Sequence, residues 1–115
     1  MEFANKVILE TANASVSAGD NEGFLAFCTD DTEWEFVGER VLRGKEAVRQ
    51  YMRQAYIEPP QFSVEKLIAE GDFVTAVGRI SIKNDQGEAT DYAYCDVWEF
   101  RDGKMASLKA FVIKK

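Results

Sequence analysis

Apolar and polar positions along this chain follow two different periods, and the switch falls near its middle. Phe3, Val7, Ile8, Ala12 and Val16 recur at helical spacing and Gly19 supplies a stop, which predicts a first helix with one buried stripe. Asp20 is suited to cap a second, short helix carrying Phe24, Leu25, Phe27 and Cys28. Asp30-Asp31-Thr32 ends that helix, and Glu33-Trp34-Glu35-Phe36-Val37 alternates as a strand with Trp34 and Phe36 on one face. A third helix is predicted from Lys45 to Tyr56. There the apolar pairs Ala47/Val48, Tyr51/Met52 and Ala55/Tyr56 interleave with polar pairs, and Glu58-Pro59-Pro60 closes the segment. Tyr51, Met52 and Tyr56 read first as core, and Lys45, Arg49 and Arg53 as a solvated basic stripe.

Beyond the prolines the period becomes two. Strands are predicted at about Phe62–Ala69, Phe73–Lys83, Glu88–Phe100 and Lys104–Ile113. The breaks between them carry turn chemistry at Glu70-Gly71-Asp72, Asn84-Asp85-Gln86-Gly87 and Asp102-Gly103. The last is a two-residue hairpin signature, because a type I′ turn needs positive φ at both central positions. Short turns between successive strands require largely antiparallel pairing. Helices first and a meander second give an α+β domain, residues 1–115, with helices on one sheet face.

The third of these strands is apolar on both sides. Tyr92, Tyr94, Trp98 and Phe100 share one face, and Ala93, Cys95 and Val97 share the other. With the helices already used on one face, the expected cover for the other is a second copy of the chain, giving a homodimer through the outer sheet face. Asp96 breaks the pattern, since parity puts it beside Tyr94 and Trp98 on the helix-covered side. A carboxyl desolvated there has its pKa raised and can donate a proton or hydrogen bond at neutral pH. It can also be a structural Asp satisfied by a Tyr hydroxyl, a backbone amide or a basic side chain. Glu33 and Glu35 point outward by the same parity, Asp91 falls opposite Asp96, and Arg79 belongs to the outer face.

Composition narrows the chemistry. The 115 residues are 46% hydrophobic and 12% aromatic, enough for a packed core rather than a disordered chain. A formal charge of −6 argues against a general nucleic-acid binder, which needs a basic face. The longest stretch without a charge, Thr11–Gly19, is far short of the ~20 apolar residues of a membrane helix. No secretory signal is visible at Met1-Glu2-Phe3, so a cytoplasmic location is expected. The chain has no histidine, which excludes Ser-His-Asp and Cys-His catalysis and removes the commonest metal ligand. Cys28 and Cys95 form no metal-type spacing and read as small apolar residues, so neither metal nor cofactor is expected.

Four segments in order resemble the SnoaL-like family of the nuclear transport factor 2-like superfamily, to which ketosteroid isomerase is related. They are Ala18-Gly19-Asp20, Phe27-Cys28-Thr29-Asp30-Asp31, Leu42-Arg43-Gly44-Lys45-Glu46-Ala47-Val48 and Trp98-Glu99-Phe100-Arg101-Asp102-Gly103-Lys104-Met105. The resemblance implies three helices on a strongly curved antiparallel sheet, enclosing an apolar pocket and often dimerising through the sheet's outer face. Ketosteroid isomerase uses an Asp base with a Tyr and a protonated Asp as its oxyanion hole. Counted from the shared landmarks, the Tyr position falls on Ala12, the base on Phe36, and the protonated Asp on Asp96. The resemblance thus implies Asp96 as the catalytic group. Trp34, Phe36, Met52, Tyr94, Trp98, Leu108, Ala110 and Val112 would line the pocket. The implied function is binding of a small, mostly apolar molecule, with a cofactor-independent isomerase, cyclase or hydratase as one reading. The other readings are a ligand-binding module without catalysis and a dimeric assembly module.

Overall fold

A computed structural model describes residues 2–115. In chain order the elements are α1 (Glu2–Ser17), α2 (Asn21–Leu25), β1 (Cys28–Phe36), β2 (Arg40–Arg43) and α3 (Lys45–Ala55), followed by β3 (Gln61–Glu70), β4 (Phe73–Lys83), β5 (Ala89–Arg101) and β6 (Lys104–Lys114). The strands form one open, curved sheet in the order β2-β1-β6-β5-β4-β3, with the helices packed on its concave face. The architecture is the expected α+β one.

Local chemistry explains where α1 and α2 meet. Gly19 takes φ +83°, and the amides of Gly19 and Asp20 donate to the carbonyls of Val16 and Ser15. Those two bonds are a Schellman ending, satisfying carbonyls that the helix leaves open. Asp20 then caps α2, its Oδ1 accepting from the Gly23 amide at 2.9 Å. The Asp102-Gly103 turn has φ +52° and +77°, the two positive values that a type I′ turn requires.

Three details differ from the sequence reading. On α1 the buried stripe is Asn5, Leu9, Ala12 and Val16, whereas Phe3 and Val7 are 79% and 43% exposed. Apolar spacing marks a helix, but only the docking angle on β3 and β4 decides which stripe is covered. Second, α2 ends at Leu25, and Cys28 opens β1 instead of closing the helix. Asp30, Asp31 and Thr32 continue that strand, because β1 pairs with β6 through Cys28↔Met105 and the Met105 amide donates to the Phe27 carbonyl. Third, β1 runs parallel to β6, and β2 adds a short antiparallel edge. A parallel pair needs a long crossover, here everything between β1 and β6.

One irregularity lies between β3 and β4. A register shift lies between Val64 and Lys66, opposite Gly78. A Cβ placed on Gly78 would stand 2.1 Å from the Ser63 carbonyl oxygen and 2.8 Å from the Tyr94 hydroxyl. Only glycine allows that approach, so the strand can fold over and the Tyr94 ring can lie across it.

Candidate functional site

The concave face holds a sealed half and a hollow half. Leu9, Leu25, Cys28, Val48, Val74 and Met105 are fully buried where the sheet meets α1, α2 and α3. Toward the other end of the same strands the helices diverge from the sheet and leave a cavity of about 240 Å³. Ligand pockets are generally roughly 300–1,000 Å³, so the space suits a small molecule.

Its back wall comes from β1, β5 and β6. On β5, Tyr94, Asp96 and Trp98 face inward, registered against Val112, Ala110 and Leu108 of β6. Trp34 and Phe36 of β1 continue the wall, with Trp34 opposite Leu108 and Phe36 opposite Ala110. Met52 of α3 is fully buried and backs the wall, while Val112 is 43% exposed at the open end. All nine positions singled out from the sequence therefore border one cavity.

Aromatic edges knit this wall together. The Trp34 ring stands edge-on to Phe24 and Trp98, each at 5.8 Å, and to Tyr51 at 6.2 Å. Phe36 and Tyr51 lie 5.0 Å apart, and Tyr51 meets Tyr56 at 5.9 Å. Such contacts contribute about 0.5–1.5 kcal/mol each beyond area burial and hold the rings in fixed orientations. The Trp34 indole N–H is buried without a hydrogen-bond acceptor among the described residues.

Asp96 is the group that breaks this apolar wall. Among the described residues no hydrogen bond or ion pair reaches it. It is half-buried and lines the cavity. Loss of hydration disfavours its charged form and pushes its pKa from 3.8 up to about 7. Three phenols feel its charge. Tyr94 is pushed up to about 12, by burial first and by Asp96 and Glu65 after it. Tyr51 and Tyr56 are also raised, chiefly by burial. Asp96 is thus a carboxyl divided between its two protonation states near neutral pH, facing a void.

Several lining residues were not singled out as site residues by the sequence. Tyr51 and Tyr56, read as core, border the cavity from the helix side, as do Asn13 and Val16 of α1. Phe62, Ala76 and Ile80 line it from β3 and β4, and period-two parity on those strands carries that signal. Glu39 stands at the rim in the turn between β1 and β2, where no periodicity marks it. The other charged groups lie outside. Glu33 pairs with Arg43, Arg79 with Glu65, and Lys45 with Asp30, all at the surface. Arg49 binds both Glu22 and Glu46, so Lys45 and Arg49 of the basic stripe are held in ion pairs. Among the described residues no three Cys, Asp or Glu side chains converge as a metal site, and no helix is long and apolar enough to cross a membrane.

Comparison with known proteins agrees with the fold. The family model described as the SnoaL-like domain matches residues 9–108. Among solved structures, the chain is similar to SalBIII, described as an epoxide hydrolase/cyclase-like enzyme in pyran ring formation in polyether salinomycin. That match has a TM-score of 0.87 and 22% identity, over 94% of this chain and 89% of the other. An LEH-like epoxide hydrolase of M. tuberculosis matches with a TM-score of 0.86 and 17% identity, over 96% and 84% of the two chains. An NTF2-like protein of unknown function from Cytophaga hutchinsonii gives 0.76 and 19%, over 94% and 98%. No curated protein sequence matches. Identities this low carry the fold and not the chemistry.

Proposed function

Because the chain belongs to the SnoaL-like family of the NTF2-like superfamily, we propose that its cavity binds a small, mostly apolar molecule and that Asp96 acts on it as an acid or hydrogen-bond donor. The observation that carries this reading is a carboxyl without a partner among the described residues, facing the void between Tyr94 and Trp98 on the inward face of β5. In its neutral form Asp96 can pass a proton to, or hydrogen-bond with, an oxygen on the ligand, and a group with pKa near the working pH suits that task. The ring-lined wall lowers the local dielectric around Asp96 and so strengthens the contact. The reaction class this supports is a cofactor-independent isomerisation, cyclisation or hydration. Two structural neighbours bear epoxide hydrolase or cyclase descriptions, which favours that class by analogy.

The test is a carbon-13 titration of the Asp96 carboxyl, followed by turnover assays on small epoxides and enones. A midpoint near 7, with any turnover lost in Asp96→Asn, supports the acid role. A midpoint below 5 overturns it. Binding without turnover is the second reading, favoured by one feature: Phe36 faces the cavity at the position where the resemblance to ketosteroid isomerase would put the base. A titrating Asp96 combined with ligand binding and no conversion selects that alternative.

The outer sheet face is proposed to pair with a second copy. Ala93, Cys95 and Val97 lie there beside Phe111 and Ile113, the last two 44% and 70% exposed. Glu35 opposite Lys109 at the Val97 end and Arg79 with Asp91 at the Ala93 end give the strip both signs of charge, as self-complementary pairing needs. Sedimentation of Ile113→Glu against the parent chain tests it, and a parent that is monomeric at micromolar concentration removes it.

A further inference from the structure

The cavity has a definite electrical character. Nine aromatic rings border it, and the acidic side chains at its surface are Asp96 inside and Glu39 at the rim. Among the described residues no Lys or Arg side chain lines it. An aromatic ring presents a negative face, so ring faces and a carboxylate together favour positive charge and disfavour negative charge. One ring pair already shows this. The Arg40 guanidinium, which is not among the cavity-lining residues, lies 5.1 Å from the Tyr51 centroid and 6.0 Å from that of Phe36.

We propose that the ligand this cavity selects is an organic cation with apolar substituents, such as a quaternary or tertiary ammonium, held with its charge against Asp96 and its substituents against the rings. This deepens the pocket reading above and rests on it. Among the described residues the Asp96 carboxylate has no counter-ion, and a ligand cation supplies one. The rings at Trp34, Phe36, Tyr51 and Trp98 replace the hydration that a weakly hydrated ammonium loses. The chain's overall charge of −6 adds a weak long-range attraction of the same sign. The acid role uses the same charge pair. When Asp96 gives its carboxyl proton to a lone pair on a neutral ligand, the carboxylate is left anionic and the ligand becomes the cation.

The experiment compares three molecules of nearly equal shape: choline, its neutral carbon analogue 3,3-dimethylbutan-1-ol, and the anion 3,3-dimethylbutanoate. Binding is read at pH 8 from the indole N–H resonances of Trp34 and Trp98, in the parent chain and in Asp96→Asn. Choline is expected to bind about tenfold or more tighter than the alcohol, with the anion weakest, and Asp96→Asn is expected to erase the preference. In the parent chain, choline is also expected to lower the Asp96 midpoint by about one pH unit or more, a readout that does not depend on the variant folding. The groups facing that carboxyl are Tyr51 and Tyr56 from the helix side and Tyr94 from its own strand, with Glu39 at the rim. These phenols titrate too high to imitate the shift. An alcohol that binds as tightly as choline, a preference that persists in Asp96→Asn, or an unmoved Asp96 midpoint overturns the cation proposal while leaving the pocket intact. Indole resonances untouched by all three molecules overturn both.

Discussion

One strand crosses two different environments. At the C-terminal end of β5, Phe100 is 3% exposed within the packed core, paired with Met105, and Trp98, 4% exposed, stands where that core meets the cavity. At its N-terminal end Tyr92 and Tyr94 look into the hollow. The alternation of residues along the strand is the same throughout, so the strand does not decide which half is solid. The helices do, because they close against the sheet over one end and stand away from it at the other. Sealing one end gives the fold its stability, and leaving the other open gives Asp96 a place to face.

Substitutions that separate the two ends sharpen the contrast. Met105→Ala at the sealed end removes a fully buried side chain where neighbours have little room to collapse. A loss of about 3–5 kcal/mol is expected by urea denaturation. Gly78→Ala, at the bend that shapes the hollow end, forces a methyl group onto the Ser63 carbonyl oxygen and the Tyr94 hydroxyl. A cost of about 1–3 kcal/mol is expected, together with a moved Tyr94 ring resonance.

Asp96→Asn is expected to act with the opposite sign. Its folded pKa lies near 7 against 3.8 ordinarily, so the folded protein holds a proton that the unfolded chain releases. The Asp96 contribution to the parent's stability therefore falls as pH rises from about 4 to about 7 and is level above that. The Asn variant lacks this loss. It should be more stable than the parent by on the order of 2 kcal/mol at pH 8, discounted for the solvent that reaches the cavity, with no carboxyl-linked difference remaining at pH 3. Equal pH dependence in the two proteins, measured by thermal melting, would contradict the buried-carboxyl account. Val112→Ala at the rim, where the side chain is 43% exposed, should cost less than about 1 kcal/mol. A loss comparable with that of Met105→Ala would mean that the rim is packed and the two ends are alike.

Legibility differed in the same way. The turns at Gly71, Gly87 and Asp102-Gly103 and the alternation from Phe62 onward made β3 to β6 readable, because hairpin pairing is local and its turn chemistry is explicit. The parallel partnership of β1 with β6 left no such trace, since nothing near Cys28 in sequence reports on Met105. Tyr51 shows the matching difficulty in the site. A tyrosine on an apolar helix stripe looks identical whether it packs against a wall or borders a void. Glu39 was invisible for a simpler reason, since a turn residue has no periodic context.

By itself the sequence determined which side chains share a face, because a strand turns its residues over with a period of two and a helix with one of 3.6. That was enough to set Asp96 among Tyr94 and Trp98 and to leave it without a charged neighbour on its own strand. Only the tertiary structure decided that the shared face ends in a hollow. A cavity is the space left over when separate elements meet at particular angles, and no single segment of chain encodes those angles.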